Sequence, residues 1–107
     1  MKKLLLAAII SLTTISSVAL AEIKVGIILG FTGPIETLTP AMRDSAKLAF
    51  AEVSASGALL GGETITPLIA DSTCVDSDAA VAAAELIVSD GAVAIMGADC
   101  SGVTGAI

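Results

Sequence analysis

The chain has 107 residues, a formal net charge of −6 and two aromatic side chains, Phe31 and Phe50. After position 21, three basic residues stand against all eleven acidic ones, a formal charge of −8 that argues against nucleic acid and anionic membranes as partners. The core must be made from Ala, Val, Ile and Leu, and it is thin at a length where burial is already marginal. We therefore expect this chain to be part of a larger protein.

Residues 1–21 have the pattern of a cleaved signal peptide. A positive start (MKK) precedes an apolar run at residues 4–10, and residues 18–21 (VALA) end in the small-x-small pattern that signal peptidase accepts. Ser and Thr residues interrupt the apolar run before it reaches the roughly 20 residues of a membrane span. No cysteine lies near the cleavage site to carry a lipid anchor. We expect cleavage after Ala21 and a periplasmic location for residues 22–107.

The first predicted strand and helix follow the signal peptide. Residues 23–29 form a short β-branched apolar run, which is typical of a buried parallel strand. Residues 39–56 have apolar side chains at helical spacing, with Gly57 at the end. Thr39 is the expected N-cap and Pro40 the first helical residue. The expected buried face of this helix consists of Met42, Ala46, Ala49, Phe50 and Val53.

A second strand and helix are predicted next. Residues 64–70 regain strand character, but Pro67 cannot donate to a ladder, which indicates either an edge strand or a bulge. The following helix is expected to be capped by Asp76 or Asp78 and to end at Gly91. Its expected apolar face includes Val81, Leu86 and Val88.

The third predicted strand covers residues 92–96, and a further helix is expected to begin near Ser101. Strands and helices that alternate with connections of this length form right-handed βαβ units. The predicted fold class is therefore α/β with a doubly wound parallel sheet. The sequence stops within the last predicted helix, so we expect the fold to continue beyond it.

Ligands of open α/β sheets bind at the carboxyl ends of the strands, so the loops there are the informative segments. They cover residues 30–38, 71–78 and 97–104. The third places small residues, hydroxyls and backbone N–H groups where a strand leads into a helix, which favours an anion such as a carboxylate. The alternative is that Ser101 only caps the helix and Gly102 only turns the chain.

The two cysteines, Cys74 and Cys100, follow the second and third predicted strands. If those strands end at one sheet edge, a bridge between the thiols is geometrically possible, and export supplies an oxidising compartment. There is no CxxC motif for redox chemistry and no histidine to complete a zinc site. A disulfide is the favoured interpretation, and we expect no metal and no cofactor.

Catalysis has little support in this sequence. There is no histidine to act as a base, and the GxSxG, GxxxxGK[ST] and GxGxxG motifs do not occur. The acidic residues on the predicted helices and caps are most simply explained by solvation. We therefore expect no enzymatic activity and no catalytic residue.

Taken in order, these segments resemble the N-terminal lobe of the periplasmic leucine/isoleucine/valine-binding proteins, type I solute-binding proteins of ABC importers. The resemblance implies a two-lobed receptor that closes on its ligand like a hinge, with residues 22–107 as part of the first lobe. It also implies a disulfide between Cys74 and Cys100. The matching segments are IKVGIILGFTGP (23–34), AKLAFAEVSASGALLGG (46–62), IADSTC (69–74), AAVAAAELIVSDG (79–91) and AIMGADCSG (94–102).

The same resemblance implies roles for individual residues. The carboxylate-binding serine of the family falls on Ser101, with Gly102 and its backbone N–H beside it. Thr104 is a secondary candidate. The ligand's side chain is expected to meet the first loop near Leu38, where relatives often carry an aromatic residue.

The implied function is the extracytoplasmic solute-binding component of an ABC importer, with the membrane permease subunits as partners. The expected ligand is a branched-chain amino acid or a similar small amino acid, carboxylate or amide. Two alternatives are the extracellular ligand-sensing domain of a receptor and a secreted enzyme on a doubly wound fold. A transmembrane helix and signalling domain in the same gene would favour a receptor, and neighbouring permease and ATPase genes would favour transport.

The signal peptide gives a direct prediction. N-terminal sequencing of the exported protein should begin at Glu22, because the small residues Ala19 and Ala21 satisfy signal peptidase. Exported material that still begins at Met1 would contradict the assignment.

Overall fold

The computed structural model describes residues 22–107. The predicted signal peptide, residues 1–21, lies outside the described residues. No helix within 22–107 is long and apolar enough to cross a lipid bilayer. The elements are β1 (Glu22–Leu29), α1 (Thr39–Ser56), β2 (Thr64–Asp71), α2 (Ser77–Ser89), β3 (Ala94–Gly97) and α3 (Ser101–Thr104).

The strands form a parallel sheet in the order β2-β1-β3, with β1 at the centre. The chain crosses from β1 to β2 on one side and then returns over β1 to reach β3. Right-handed connections in these opposite directions place α1 and α2 on opposite faces of the sheet. The predicted doubly wound α/β fold is confirmed.

Strand β2 lies at the edge of this sheet, which explains its proline. It pairs with β1 over eight consecutive positions, from Glu22 opposite Thr64 to Leu29 opposite Asp71. Pro67 lies opposite Val25 within this uninterrupted register. Of the two interpretations of Pro67, the edge strand is therefore correct and the bulge is not.

The core is small and lies around the carboxyl half of β1. Ile27, Ile28 and Leu29 are at most 2% exposed, and they share the core with residues of both later helices, namely Ala80, Ile87 and Val103. A side chain at Gly26 would bring its Cβ to 2.6 Å from Ile87 Cγ2. Glycine at this position therefore lets α2 approach the central strand closely.

The first two helices, α1 and α2, differ in how their N-termini are capped. Asp76 is the N-cap of α2, as predicted, and its carboxylate accepts hydrogen bonds from the backbone N–H groups of Asp78 and Ala79, both at 3.0 Å. The expectation that Thr39 caps α1 is wrong. Leu38 occupies the N-cap position without a side-chain cap, and Thr39 is the first helical residue, which places Pro40 second.

The predicted buried faces of the helices need correction. Leu86 and Val88 are each 59% exposed, and α2 buries Ala80 and Ile87 instead. Ala80 and Ile87 lie seven residues apart on one face of α2, and that face, rather than the one with Leu86 and Val88, packs on the sheet. On α1, Met42 (44%) and Val53 (42%) are largely exposed, because α1 packs mainly on the edge strand β2 rather than over the sheet centre.

Strand β3 begins two residues later and ends one residue later than the predicted range of 92–96. The backbone N–H of Ala92 donates to the carbonyl of Ile87 in the last turn of α2, so this residue is not available to pair in the sheet. At the other end, Gly97 pairs with Ile28 of β1. Its φ is +123°, and an added Cβ would collide with the Ile28 carbonyl oxygen.

Gly97 and Gly102 therefore form a matched pair for mutation. Gly97→Ala should lower the free energy of unfolding by about 2 kcal/mol or more, because its backbone conformation and its contact with Ile28 both exclude a side chain. Gly102 is helical and has no described neighbour within 4 Å of an added Cβ, so Gly102→Ala should be neutral or stabilising by up to about 1 kcal/mol. Denaturant unfolding measures both, and equal effects would contradict a steric conflict specific to Gly97.

Candidate functional site

Three loops meet at the carboxyl edge of the sheet. The strand register places Leu29 beside Asp71, and Ile28 beside Gly97, so all three strands end at nearly the same level. The first loop (residues 30–38) follows β1, the second (72–76) follows β2 and the third (98–100) follows β3. This edge is where parallel sheets bind ligands.

A disulfide joins the second loop to the third. Cys74 and Cys100 are bonded, with their Cα atoms 5.2 Å apart, and no cysteine within residues 22–107 is free. The bond predicted from the sequence is thus present. Closing a loop of this length contributes roughly 3.5 kcal/mol in the chain-entropy account, which is a large fraction of the stability of a small domain.

Asp71, the last residue of β2, ties the first loop to the second. Its carboxylate accepts hydrogen bonds from Phe31 N at 2.9 Å, Thr32 Oγ1 at 2.6 Å and Thr73 N at 2.8 Å. The Thr32 backbone N–H adds a longer bond at 3.3 Å. Thr73 and Cys74 both have positive φ, a conformation that costs free energy in residues other than glycine. The bond from Thr73 and the disulfide hold this segment in place.

These contacts also change the acidity of Asp71. Partial burial raises the pKa of its carboxyl group, but the hydrogen bonds from Thr32, Thr73 and Phe31 outweigh burial and hold the pKa below its ordinary value. The ionised carboxylate is the better acceptor, so it is the form that the loops stabilise.

Asp99 ties the first loop to the third. The backbone N–H of Gly30 donates to both of its carboxylate oxygens, at 3.2 Å and 3.0 Å. The carbonyl of the same glycine accepts a hydrogen bond from Thr39 Oγ1 at 3.0 Å. Thr39 is fully buried, so this contact explains why its hydroxyl is not available to cap α1.

The structure places Ser101 and Gly102 on α3, immediately after the disulfide. Cys100 is the N-cap of α3 and Ser101 its first residue, so the interpretation of Ser101 as a cap is not supported. The Ser101 side chain is exposed and takes part in no hydrogen bond within residues 22–107. Gly102 is likewise exposed and helical, and it does not turn the chain. Because α3 is only one turn long, the hydroxyl of Ser101 is a stronger argument for anion binding than the helix dipole.

The other two predicted site residues have different environments. Thr104 Oγ1 lies 2.7 Å from the Ala98 carbonyl oxygen and 2.9 Å from that of Cys100, so its hydroxyl closes α3 onto the third loop. Leu38 is 62% exposed where the first loop enters α1. Of these two, Leu38 has the side chain that is free to meet a ligand.

Two acids that organise this edge had no role predicted from the sequence. Asp71 ends a strand, and its partners Phe31 and Thr32 lie 40 and 39 residues away. Asp99 contacts Gly30 across 69 residues. An acidic residue at the carboxyl end of a strand was a usable signal for Asp71, whereas no local pattern indicated the partner of Asp99.

A family model described as periplasmic binding protein matches residues 22–107. The chain therefore belongs to the periplasmic binding protein family. Comparison with individual curated proteins found no match. Membership indicates a solute-binding role with a small-molecule ligand and an extracytoplasmic location, in a family that is generally not enzymatic.

The lowered pKa of Asp71 predicts how stability depends on pH. The ionised carboxylate contributes stability above its ordinary pKa of 3.8, and this contribution is lost as the pH falls through the lower pKa of the folded state. Asp71→Asn should therefore be less stable than the wild type at neutral pH, with the difference shrinking under acid conditions. Denaturant unfolding from about pH 6 down to about pH 2 measures this.

Thr32→Val is the matched comparison for Asp71→Asn. It removes the shortest hydrogen bond to Asp71 but leaves the carboxylate, so its pH dependence should be intermediate. If wild type and Asp71→Asn gave parallel curves of stability against pH, the hydrogen bonds at Asp71 would not favour its ionised form in the folded state.

Proposed function

We propose that this protein is the solute-binding component of an ABC importer, acting in the periplasm after removal of a signal peptide at residues 1–21. The observation that carries the proposal is an exposed serine hydroxyl, on Ser101, at the ligand-binding edge of a periplasmic binding protein fold. Residues 22–107 then belong to the first of two lobes. The permease subunits of the importer receive the ligand.

The proposed ligand is a branched-chain amino acid or a similar small amino acid, carboxylate or amide. The Ser101 hydroxyl and the nearby backbone N–H groups hold its carboxylate, and Leu38 meets its side chain. Apart from its chain neighbours and the backbone of α3, no atom of the described residues lies within 4 Å of a Cβ added at Gly102, so the ligand can approach the backbone there. The second lobe supplies the groups that bind the ammonium.

The charges at this edge favour a zwitterion among these ligands. Asp71 and Asp99 bring two carboxylates to the loops, and the formal charge of residues 22–107 is −8. A bare anion is repelled by such a surface, whereas an amino acid has no net charge and offers an ammonium group as well. An amino acid therefore fits the site better than a simple carboxylate does.

Mutation of Ser101 tests the proposal. In the full-length protein, Ser101→Ala should weaken binding of L-leucine, L-isoleucine or L-valine about tenfold to a hundredfold, because it removes a hydrogen bond to a charged group. Its melting temperature should change little, since Ser101 is not the helix cap. Titration calorimetry and thermal unfolding measure the two effects.

Two neighbouring substitutions serve as comparisons. Thr104→Ala should lower stability more than affinity, because its hydroxyl holds α3 to the third loop. Gly102→Ala should lower affinity without lowering stability if the ligand approaches the backbone at that position. Wild-type affinity in Ser101→Ala would show that the start of α3, after the third loop, is not the carboxylate site.

A further inference from the structure

The peptide groups of Gly30 connect two segments that carry candidate ligand contacts. The glycine N–H donates to Asp99, which stands two residues before Ser101. The glycine carbonyl accepts from Thr39, which directly follows Leu38. The backbone N–H and the carbonyl of Gly30 are therefore each hydrogen-bonded to a side chain, one from each segment.

The surroundings of Gly30 leave it little freedom to move. Gly30 is buried, and an added Cβ would lie 3.1 Å from Cys74 Cβ and 3.3 Å from Ile35 Cγ1. Cys74 is itself bonded to Cys100, the residue between Asp99 and Ser101. The third loop is thus held near Gly30 both by a carboxylate and through a covalent bond.

We propose that Thr39, Gly30 and Asp99 form a positioning relay that fixes Leu38 and Ser101 relative to each other, with Asp99 as its main positioning residue. This inference rests on the proposed function for its effect on ligand affinity. In the relay, Asp99 does not touch the ligand. It acts by setting the place of the third loop against the first, as packed hydrogen-bond networks do when they couple separate segments.

Geometry favours Asp99 over Asp71 for this role. Asp71 accepts its bonds from the first and second loops only, so it does not reach the segment of Ser101 directly. Asp99 lies on the third loop, two residues before Ser101, and contacts the residue whose carbonyl also accepts from the Thr39 hydroxyl. Asp99 is therefore the carboxylate that links the two candidate contacts, beside the disulfide at Cys100.

Amide NMR spectroscopy of the full-length protein tests the relay without any ligand. Asp99→Ala should speed hydrogen exchange of the Gly30 amide about fivefold to tenfold, the effect of losing one hydrogen bond. It should also shift the amide resonances of Leu38 and Thr39 together with that of Ser101. Asp99→Asn keeps an acceptor oxygen for the Gly30 N–H. Its exchange rate and amide resonances should therefore stay close to those of the wild type.

Asp90→Asn is the charge-matched control for these variants. The Asp90 carboxylate accepts no hydrogen bond within residues 22–107, and it lies at the end of α2 near Lys24, toward the opposite end of β1 from the loops. The Asp90→Asn variant should leave the amide resonances of Gly30, Leu38 and Ser101 unchanged. Shifts at Ser101 alone in Asp99→Ala, with Leu38 and Thr39 unmoved, would overturn the relay.

Affinity for L-leucine gives a second, independent readout. Asp99→Ala and Thr39→Val should each weaken binding of L-leucine about threefold to thirtyfold. The fold loss of affinity in the double variant should be smaller than the product of the two single losses, because both substitutions interrupt the same set of hydrogen bonds. Full additivity in folded variants would contradict the relay. If the wild type bound none of L-leucine, L-isoleucine and L-valine, the proposed ligand would be wrong, and the NMR experiment would still decide the relay.

Discussion

The register of β1 against both of its neighbours is the constraint on which the candidate site depends. Because β1 pairs with β2 and β3 in parallel, the three strands deliver their loops to one edge at nearly the same level. A shift of one residue would exchange the faces of the sheet on which Ile27 and Ile28 are buried and would move both acids away from the first loop. The packing of the core and the geometry of the edge are therefore set together.

The loops at this edge are held by polar and covalent links more than by apolar packing. The core around β1 is small, and the first loop contributes exposed residues to the edge. Asp71 joins the first loop to the second, Asp99 joins the first to the third, and the disulfide joins the second to the third. Each loop is thus tied to both others, an arrangement that supports a preorganised binding surface.

The sequence predicted what depends on local patterns and missed what depends on distant contacts. Pro67 indicated an edge strand and Asp76 a helix cap, because each residue's own chemistry restricts its backbone. Thr39 was expected to cap α1, but its hydroxyl bonds instead to Gly30 in the folded chain. The predicted buried face of α2 is wrong because Ile87, rather than Leu86 or Val88, faces the sheet, where it lies against Gly26 of β1. The partner of Asp99 could be found only once β1 and β3 were paired.

The carboxyl edge of this sheet is the proposed binding site for a small amino acid. The most direct test is titration of the isotopically labelled full-length protein with L-leucine, following backbone amide resonances throughout the chain. We predict that, within residues 22–107, the largest changes fall on residues 30–38 and 98–104. Changes concentrated at the opposite edge, around Glu22, Thr64 and Gly91, would contradict this assignment of the site.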